Sequence, residues 1–374
     1  MLCGAVVAAL ATWFAATAAV PAWIAEGRIT PAEAAWLTAA VQLGFVLGTL
    51  VFALFSLPDR LPPRLLFAAC AADAAIATLL LVLVEPAGWL ALLLRGVAGA
   101  AMAGVYPVGM KLAAGWAKGD LGLLIGLLVG ALTLGSAAPH LAPALLGTPD
   151  PARVFIAAGL LALVGAALIL LFHEGPLVAR RPPFHPSQMF LAWRDRNLRL
   201  ANAAYLGHMW ELYAMWAWIG LYLAQAGLGG GALVFAVVGA GGVGSVVAGW
   251  LADRFDRARV TATIMVASGA AAMLVVPATH AAPALGVAVA LVWGLTIVAD
   301  SAQFSASVVR FAPPDYVGTM LTVQTCLGFL LTVGTIRLTA WLVPHIGWGG
   351  AFAVLGLGPW LGAAAMLRLG ARTR

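Results

Sequence analysis

From Met1 to residue 172, and again from Arg199 to residue 368, the chain is a succession of long apolar stretches broken only by short polar turns. A run of about 20 apolar residues makes a helix that matches the roughly 30 Å hydrocarbon thickness of a bilayer. Composition points the same way. Hydrophobic residues make up 63% of the chain and charged residues 9%, against about 25% charged in a soluble domain. A water-soluble fold this apolar would have nowhere to put its surface. The runs are continuous rather than alternating, which excludes a β-barrel. Forty-three glycines suit helices that approach backbone to backbone inside a membrane.

Twelve spans are predicted, at 1–24, 34–57, 64–84, 87–110, 121–145, 152–172, 199–224, 231–251, 259–279, 283–309, 317–343 and 346–368. The expected fold class is therefore all-α integral membrane, with 12 transmembrane helices as two six-helix pseudo-symmetric bundles. The bundles are residues 1–172 and 199–374, and a cytoplasmic linker, 173–198, joins them. The linker carries Arg180-Arg181-Pro182-Pro183 and Arg194-Asp195-Arg196, too polar and proline-broken to span. Nothing basic precedes the first apolar run, so it reads as a span rather than a signal peptide.

The net charge of +6 does not imply nucleic acid, because the basic residues gather at alternate span ends. With both termini cytoplasmic, 16 of the 20 Lys and Arg lie on cytoplasmic loops and ends. Arg28, Arg153 and Arg337 fall on the other side, and Arg95 lies within a span. That asymmetry predicts a multi-pass inner (plasma) membrane protein in this orientation. Cys3, Cys70 and Cys326 are odd in number and sit in apolar runs, so they give no disulfide frame or metal set. No cofactor, metal or nucleic-acid partner is expected. The expected partners of a monomer are the lipid bilayer, protons and a small-molecule substrate, either an organic anion or an amphiphile.

One short motif occurs twice. Gly249-Trp250-Leu251-Ala252-Asp253-Arg254-Phe255-Asp256-Arg257-Ala258-Arg259 lies between two apolar runs. Its weaker echo, Ser56-Leu57-Pro58-Asp59-Arg60-Leu61-Pro62-Pro63-Arg64, stands 194 residues earlier. Gly44 and Gly48 precede the first copy as the Gly239–Gly249 stretch precedes the second. Lys118-Gly119-Asp120-Leu121-Gly122 likewise echoes Pro314-Asp315-Tyr316-Val317-Gly318. Three anchors at a shift near 195 indicate a duplicated bundle, a common plan among secondary transporters.

In these features the whole chain resembles the major facilitator superfamily. The second turn matches the family's G-x-L-a-D-R pattern, whereas the first has Phe55 in place of the leading glycine. Arg95, Gly96, Gly99 and Pro107 match a family pattern in span 4. Span 5, from Gly130 to Pro139, lacks the glycine-proline pattern of the family's drug/proton antiporters. Spans 2 and 8 carry no arginine within the membrane, unlike nitrate or nitrite porters. The resemblance implies alternating access, with spans 1, 4, 7 and 10 lining a central cavity. It also implies a gating motif of Asp59, Arg60, Gly249, Asp253, Arg254 and Arg257 that latches the cytoplasmic side, with Asp253 favoured at a helix amino terminus.

Ionisable groups inside the hydrocarbon are costly, so each is a candidate for function. They are Asp73 on span 3, Arg95 on span 4, Glu211 with His208 on span 7, and Asp300 on span 10. On span 10, Trp293, Thr296, Asp300, Gln303, Ser307 and Arg310 share one helical face. That stripe lines a cavity or forms a hydrogen-bonded seam against span 11. On span 7, His208, Glu211, Met215, Trp218 and Tyr222 share a face. Glu211 lies roughly 18 Å into its span, near the midplane. An isolated buried carboxylate avoids its desolvation cost by binding a proton, so Glu211 is the candidate proton carrier. His208 would share that proton or orient the acid, or the two would form a static neutralising pair. Arg95 must pair with an acid or an anionic substrate, because it keeps its charge. Its face includes Met102 and Tyr106. Asp73 reads as a structural or relay group. Of the in-span tryptophans Trp13, Trp216, Trp218 and Trp293, the last two share faces with the acids and could bracket an organic solute.

The chain thus reads as a secondary active transporter of a small organic solute, proton-coupled and working by alternating access. Its substrate and proton pathway comprises Arg95, Tyr106, His208, Glu211, Trp218, Trp293, Asp300 and Gln303. An anionic solute would use Arg95, while a drug-like or cationic efflux substrate would use the acids and tryptophans. The alternative from another class is a transport-silent sensor or assembly factor with the same fold. No phosphate loop, zinc pair or nucleophile elbow suggests an enzyme.

Overall fold

The computed structural model describes residues 1–118, 121–146, 150–176 and 184–372. Gly119 and Asp120 of the third repeat anchor lie outside the described residues, as do Arg180 to Pro183 of the linker. No strand occurs among the described residues. The helices of the first half are α1 (Leu2–Leu10), α2 (Ala15–Ala25), α3 (Pro31–Leu54), α4 (Leu57–Arg60), α5 (Pro63–Leu80), α6 (Trp89–Met102), α7 (Tyr106–Ala114), α8 (Leu121–Ala137), α9 (Leu141–Leu146) and α10 (Pro151–Leu170). Those of the second are α11 (Leu191–Arg194), α12 (Arg196–Gln225), α13 (Gly231–Arg254), α14 (Arg257–Ala281), α15 (Pro283–Ile297), α16 (Ser301–Phe311) and α17 (Val317–Arg372).

Ten segments among the described residues are long and apolar enough to cross a membrane. The last of them, Pro314–Arg372, has 59 residues. At 1.5 Å per residue that is about 88 Å, far more than one crossing needs. Its backbone breaks at Gly347, where φ is 68° and ψ 174°. Only glycine takes such a conformation without strain, and the break falls where predicted spans 11 and 12 meet. The 30-residue α12 is not among the ten, because His208, Glu211 and its basic first turn dilute its apolar character. Even so, it is buried on every side from Glu211 to Leu223, as befits a helix at the centre of a bundle.

Three predicted spans are interrupted halfway. Span 1 divides at Ala11–Phe14 between α1 and α2, span 4 at Ala103–Val105 between α6 and α7, and span 10 at Val298–Asp300 between α15 and α16. Each interruption frees backbone carbonyls that must find donors.

The internal repeat is visible in the packing. A Cβ on Gly99 would collide with the Val41 carbonyl, and one on Gly294 with the Val237 carbonyl. Gly48 meets Ala100 as Gly244 meets Leu295. Thus α3 crosses α6 as α13 crosses α15, backbone against backbone, with partners 195 or 196 positions apart. Such close crossings are how helices gain van der Waals contact in lipid. Between the halves, α3 packs along α17 and α8 along α13.

The end of the molecule bearing the Asp59 and Asp253 turns is here termed the turn side. There the linker is tied to the second half. The Asp195 carboxylate accepts from the Asn197 and Leu198 amides at the start of α12. Asn202 donates to the Ala192 carbonyl and accepts from Gln324 of α17. The opposite end is closed by contacts across the halves. Arg337 of α17 stacks 4.0 Å over Trp36 of α3, and Gly231 lies against the His140 carbonyl.

Candidate functional site: a buried polar seam and an aromatic box

The interruption in the first span determines what Arg95 does. Arg95 is 0% exposed. Its Nη1 donates to the freed Thr12 carbonyl at 2.8 Å, its Nη2 to the Trp13 carbonyl, and its Nε to the Leu37 carbonyl at 3.4 Å. The guanidinium was expected to need an acid or an anion. It is satisfied instead by backbone oxygens, which carry the partial negative charge a cation seeks, and no acid pairs with it among the described residues. Arg95 clamps α6 to a broken helix.

Glu211 and His208, three residues apart on α12, do not partner each other. The Glu211 Oε1 accepts from Trp293 Nε1 of α15 at 2.7 Å, and its Oε2 from Ser268 Oγ of α14 at 2.8 Å. One carboxylate therefore ties three helices. His208 faces the interruption in span 10, where its Nδ1 lies 2.8 Å from Asp300 Oδ1. That contact has the distance of an ion pair but not the alignment of a hydrogen bond, and His208 Nε2 has no partner among the described residues. Glu211 is 1%, His208 2% and Asp300 3% exposed, so all three lie out of reach of bulk water.

The remaining pathway candidates divide. Trp293 donates to Glu211, whereas Trp218 donates to the Ile336 carbonyl of α17 at 3.0 Å. Gln303 is buried one turn into α16, and Tyr106 is half-buried at the start of α7. Of the span 10 stripe, Trp293, Asp300, Gln303 and Ser307 are buried, Thr296 is partly so and Arg310 is exposed. Asp73 is exposed on α5.

The two gating turns are built differently. Ser56 takes a left-handed conformation (φ 50°, ψ 40°) that folds the chain into the single-turn α4. This delivers the Asp59 carboxylate to Lys111 of α7, whose ammonium also donates to the Pro58 carbonyl. In the second copy α13 continues through the motif to Arg254. Asp253 therefore sits in the last turn of α13, not at a helix amino terminus. The amino-terminal cap of α14 is Asp256, which accepts from the Arg259 amide at 2.9 Å. Asp253, Arg254 and Arg257 are exposed, and Arg254 stacks 3.8 Å over Trp250. Asp253 has no ion-pair partner among the described residues. Gly249 has open space beside it, and Arg60 is exposed.

A cleft of about 110 Å³ opens on the turn side between the halves. Thr49, Phe52, Pro107 and Lys111 line it from the first half, Thr322 from the second, and Phe184 from the linker. Beside Phe184, the His185 amide donates to Thr319 Oγ1 at 3.0 Å and its ring meets Tyr316 edge-on. Deeper in the molecule six aromatic rings meet across the halves. Trp13, Phe14 and Phe45 face Tyr213, Trp216 and Phe329, with neighbouring centroids 4.4 to 6.1 Å apart.

Sequence reasoning picked out charged residues and so passed over Gln42, Ser268 and this ring cluster. Gln42 was findable, because an amide within an apolar span is the same kind of signal as Gln303. Ser268 and Lys111 carry no local signal; only the fold brings them to Glu211 and Asp59.

Membrane-length helices broken at mid-depth around buried ionisable groups define a polytopic membrane protein of the transporter class. The chain belongs to the Major Facilitator Superfamily, whose family model matches residues 1–335. No curated protein matches the sequence.

Proposed function

We propose that the chain is a proton-coupled secondary carrier that moves a small organic solute across the inner membrane by alternating access. Its twelve spans form two six-helix bundles, 1–172 and 199–374, with both termini cytoplasmic, and the turn side is then the cytoplasmic side. The observation that supports coupling best is the setting of Glu211. Its partners are two neutral donors, Trp293 and Ser268, and no cation pairs with it among the described residues. An indole N–H can only donate, but a serine hydroxyl donates or accepts. Ser268 can therefore bond to Glu211 whether the carboxyl is ionised or protonated. A site that tolerates both states suits a group that takes up and releases a proton once per cycle. Asp300, beside His208, is the second titratable group, placed where span 10 is interrupted.

Because Arg95 is committed to backbone carbonyls, it offers no free anchor for an anion. This favours a neutral or cationic solute over a small carboxylate.

The test is flux in proteoliposomes holding an internal pH dye, with organic acids, neutral aromatics and amphiphilic cations supplied in turn. At least one solute class should move protons across the membrane with it. Glu211→Gln should abolish uphill accumulation yet keep counterflow exchange, which needs no net proton movement. Uphill transport surviving in that variant would remove Glu211 as the carrier. No solute-dependent flux or counterflow with any class would favour a transport-silent sensor or assembly factor.

A further inference from the structure

The geometry points to the aromatic box between the halves as a subsite for a neutral solute that combines an aromatic ring with hydrogen-bond acceptors. This deepens the carrier reading by naming a solute class, and it rests on that reading only for the route the solute takes.

The first observation is a set of polar atoms without partners. Trp13 Nε1, Trp216 Nε1 and both amide atoms of Gln42 are buried and make no hydrogen bond among the described residues. Gln42 is 0%, Trp216 1% and Trp13 2% exposed. Native interiors rarely leave such groups unpaired, and where they do, a ligand or water is the usual answer. Of the other buried indoles, Trp218 and Trp293 have protein acceptors, whereas Trp23, packed on Phe155 away from the box, has none among the described residues. Gln42 stands one turn before Phe45 on α3, and the Trp13 ring packs 5.0 Å from Phe45.

The second observation is the setting. The rings come from both halves, so any movement of one half against the other opens or closes the box. Thr49, in the wall of the turn-side cleft, is one turn from Phe45, and Thr322 is about two turns from Phe329. The Phe45–Phe329 contact, at 4.4 Å, thus seals the floor of the cleft above the box.

Chemistry then selects the solute. The ring faces accept a flat apolar body by stacking. The two indole N–H groups and the amide N–H ask for acceptors. A net charge would be stranded, because the site is buried and the Arg95 guanidinium behind Trp13 is already bound by carbonyls. Donors outnumber the one free acceptor, Gln42 Oε1, so a carboxamide, which brings both, fits better than an ammonium, which brings only donors.

The experiment uses the purified full-length protein in detergent and four probes of one shape: biphenyl-4-carboxamide, biphenyl-4-carboxylate, biphenyl-4-ylmethylammonium and biphenyl. Equilibrium dialysis gives the affinities. The carboxamide should bind at least about tenfold more tightly than the other three. Trp13→Phe, Trp216→Phe and Gln42→Leu should each weaken it by about tenfold, the worth of one hydrogen bond in a buried site. Biphenyl should bind all variants alike. Trp341→Phe, remote and exposed, should change nothing. If one variant fails to fold, the other two decide. Tighter binding of either charged probe, indifference of the carboxamide to these substitutions, or no binding by any probe would overturn the proposal. Because binding is measured without a gradient, a failed flux experiment leaves it standing, and its own failure leaves proton coupling untouched.

Discussion

The two halves of the chain hold their buried charge differently. Among the described residues the buried basic groups of the first half are Arg95, Lys111 and His140, and the first two are held by protein oxygens. In the second half, among the described residues, His208, Glu211 and Asp300 are buried within one seam of α12, α15 and α16. The repeat makes the contrast sharp. At the 195-residue shift, Arg95 corresponds to Ala290 and Lys111 to Ala306. The reason lies in the backbone. Span 1 is broken and exposes carbonyls that need a permanent donor, whereas α12 is continuous and needs none. A fixed charge is a good clamp and a poor shuttle.

The largest effect should come from removing the clamp. Arg95→Met keeps apolar volume but strands the Thr12 and Trp13 carbonyls in a dry interior. Charge-assisted hydrogen bonds and unpaired buried groups each count for about 1–3 kcal/mol, so a loss of about 3 kcal/mol or more is expected in detergent unfolding. Arg95→Lys should fall between, because a single ammonium cannot reach three carbonyls in the guanidinium's geometry. An Ala290→Ser change at the matching place in the second half should do far less. If Arg95→Met were as mild, the first half would not depend on its clamp.

Next in size is the Asp59–Lys111 pair. Asp59→Asn leaves Lys111, with a side chain only 8% exposed, facing a neutral amide. Breaking one side of a buried pair costs about 3 kcal/mol, discounted here to roughly 2 because Asp59 is still 18% exposed. Lys111→Met should rescue much of that loss in the double variant, since no stranded ammonium remains. A double-mutant cycle with purely additive effects would show that the two side chains do not interact. The Phe184 contact belongs to the same cleft. Phe184→Ala should raise labelling of a cysteine introduced at Thr49 severalfold, and unchanged labelling would mean that Phe184 does not shield the cleft.

The class of fold was legible from the sequence, because membrane length and apolarity are local properties. So was the repeat, carried by glycines whose close packing forbids a side chain. Of the three interruptions only the one in span 4 carries a local signal, Gly104 and Pro107. Thr12-Trp13-Phe14 and Val298-Ala299-Asp300 contain no proline or glycine, and what meets their backbone is tertiary: Arg95 donates to the Thr12 and Trp13 carbonyls, and Ser245 of α13 to the Val298 carbonyl. Partner choice was equally hidden. His208 and Glu211 share a face, yet each turns to a different neighbouring helix because Asp300, Ser268 and Trp293 are offered there. The tryptophans show the same limit. Sharing a face with an acid drew attention to Trp218 and Trp293, while the buried indoles left without partners among the described residues are Trp13, Trp23 and Trp216.

The smallest effect should be at the turn that matches the family motif best. Asp253 lies in the last turn of α13, where the helix dipole disfavours an acid, and its side chain is exposed without an ion pair among the described residues. Asp253→Asn should therefore leave the unfolding midpoint unchanged in the state seen here. Asp256→Ala, three residues on, should cost about 1 kcal/mol, because it removes the cap of α14. Any influence of Asp253 on gating must then come from a contact made in a different state. Measured against Asp59→Asn, the prediction is an asymmetry: the first turn matters to the stability of this state and the second does not. Cysteine labelling of the turn-side cleft makes a second reading, rising in Asp59→Asn and unchanged in Asp253→Asn. Equal destabilisation at the two aspartates would mean that both turns are latched alike, and the contrast between the halves would be confined to Arg95 and the titratable seam.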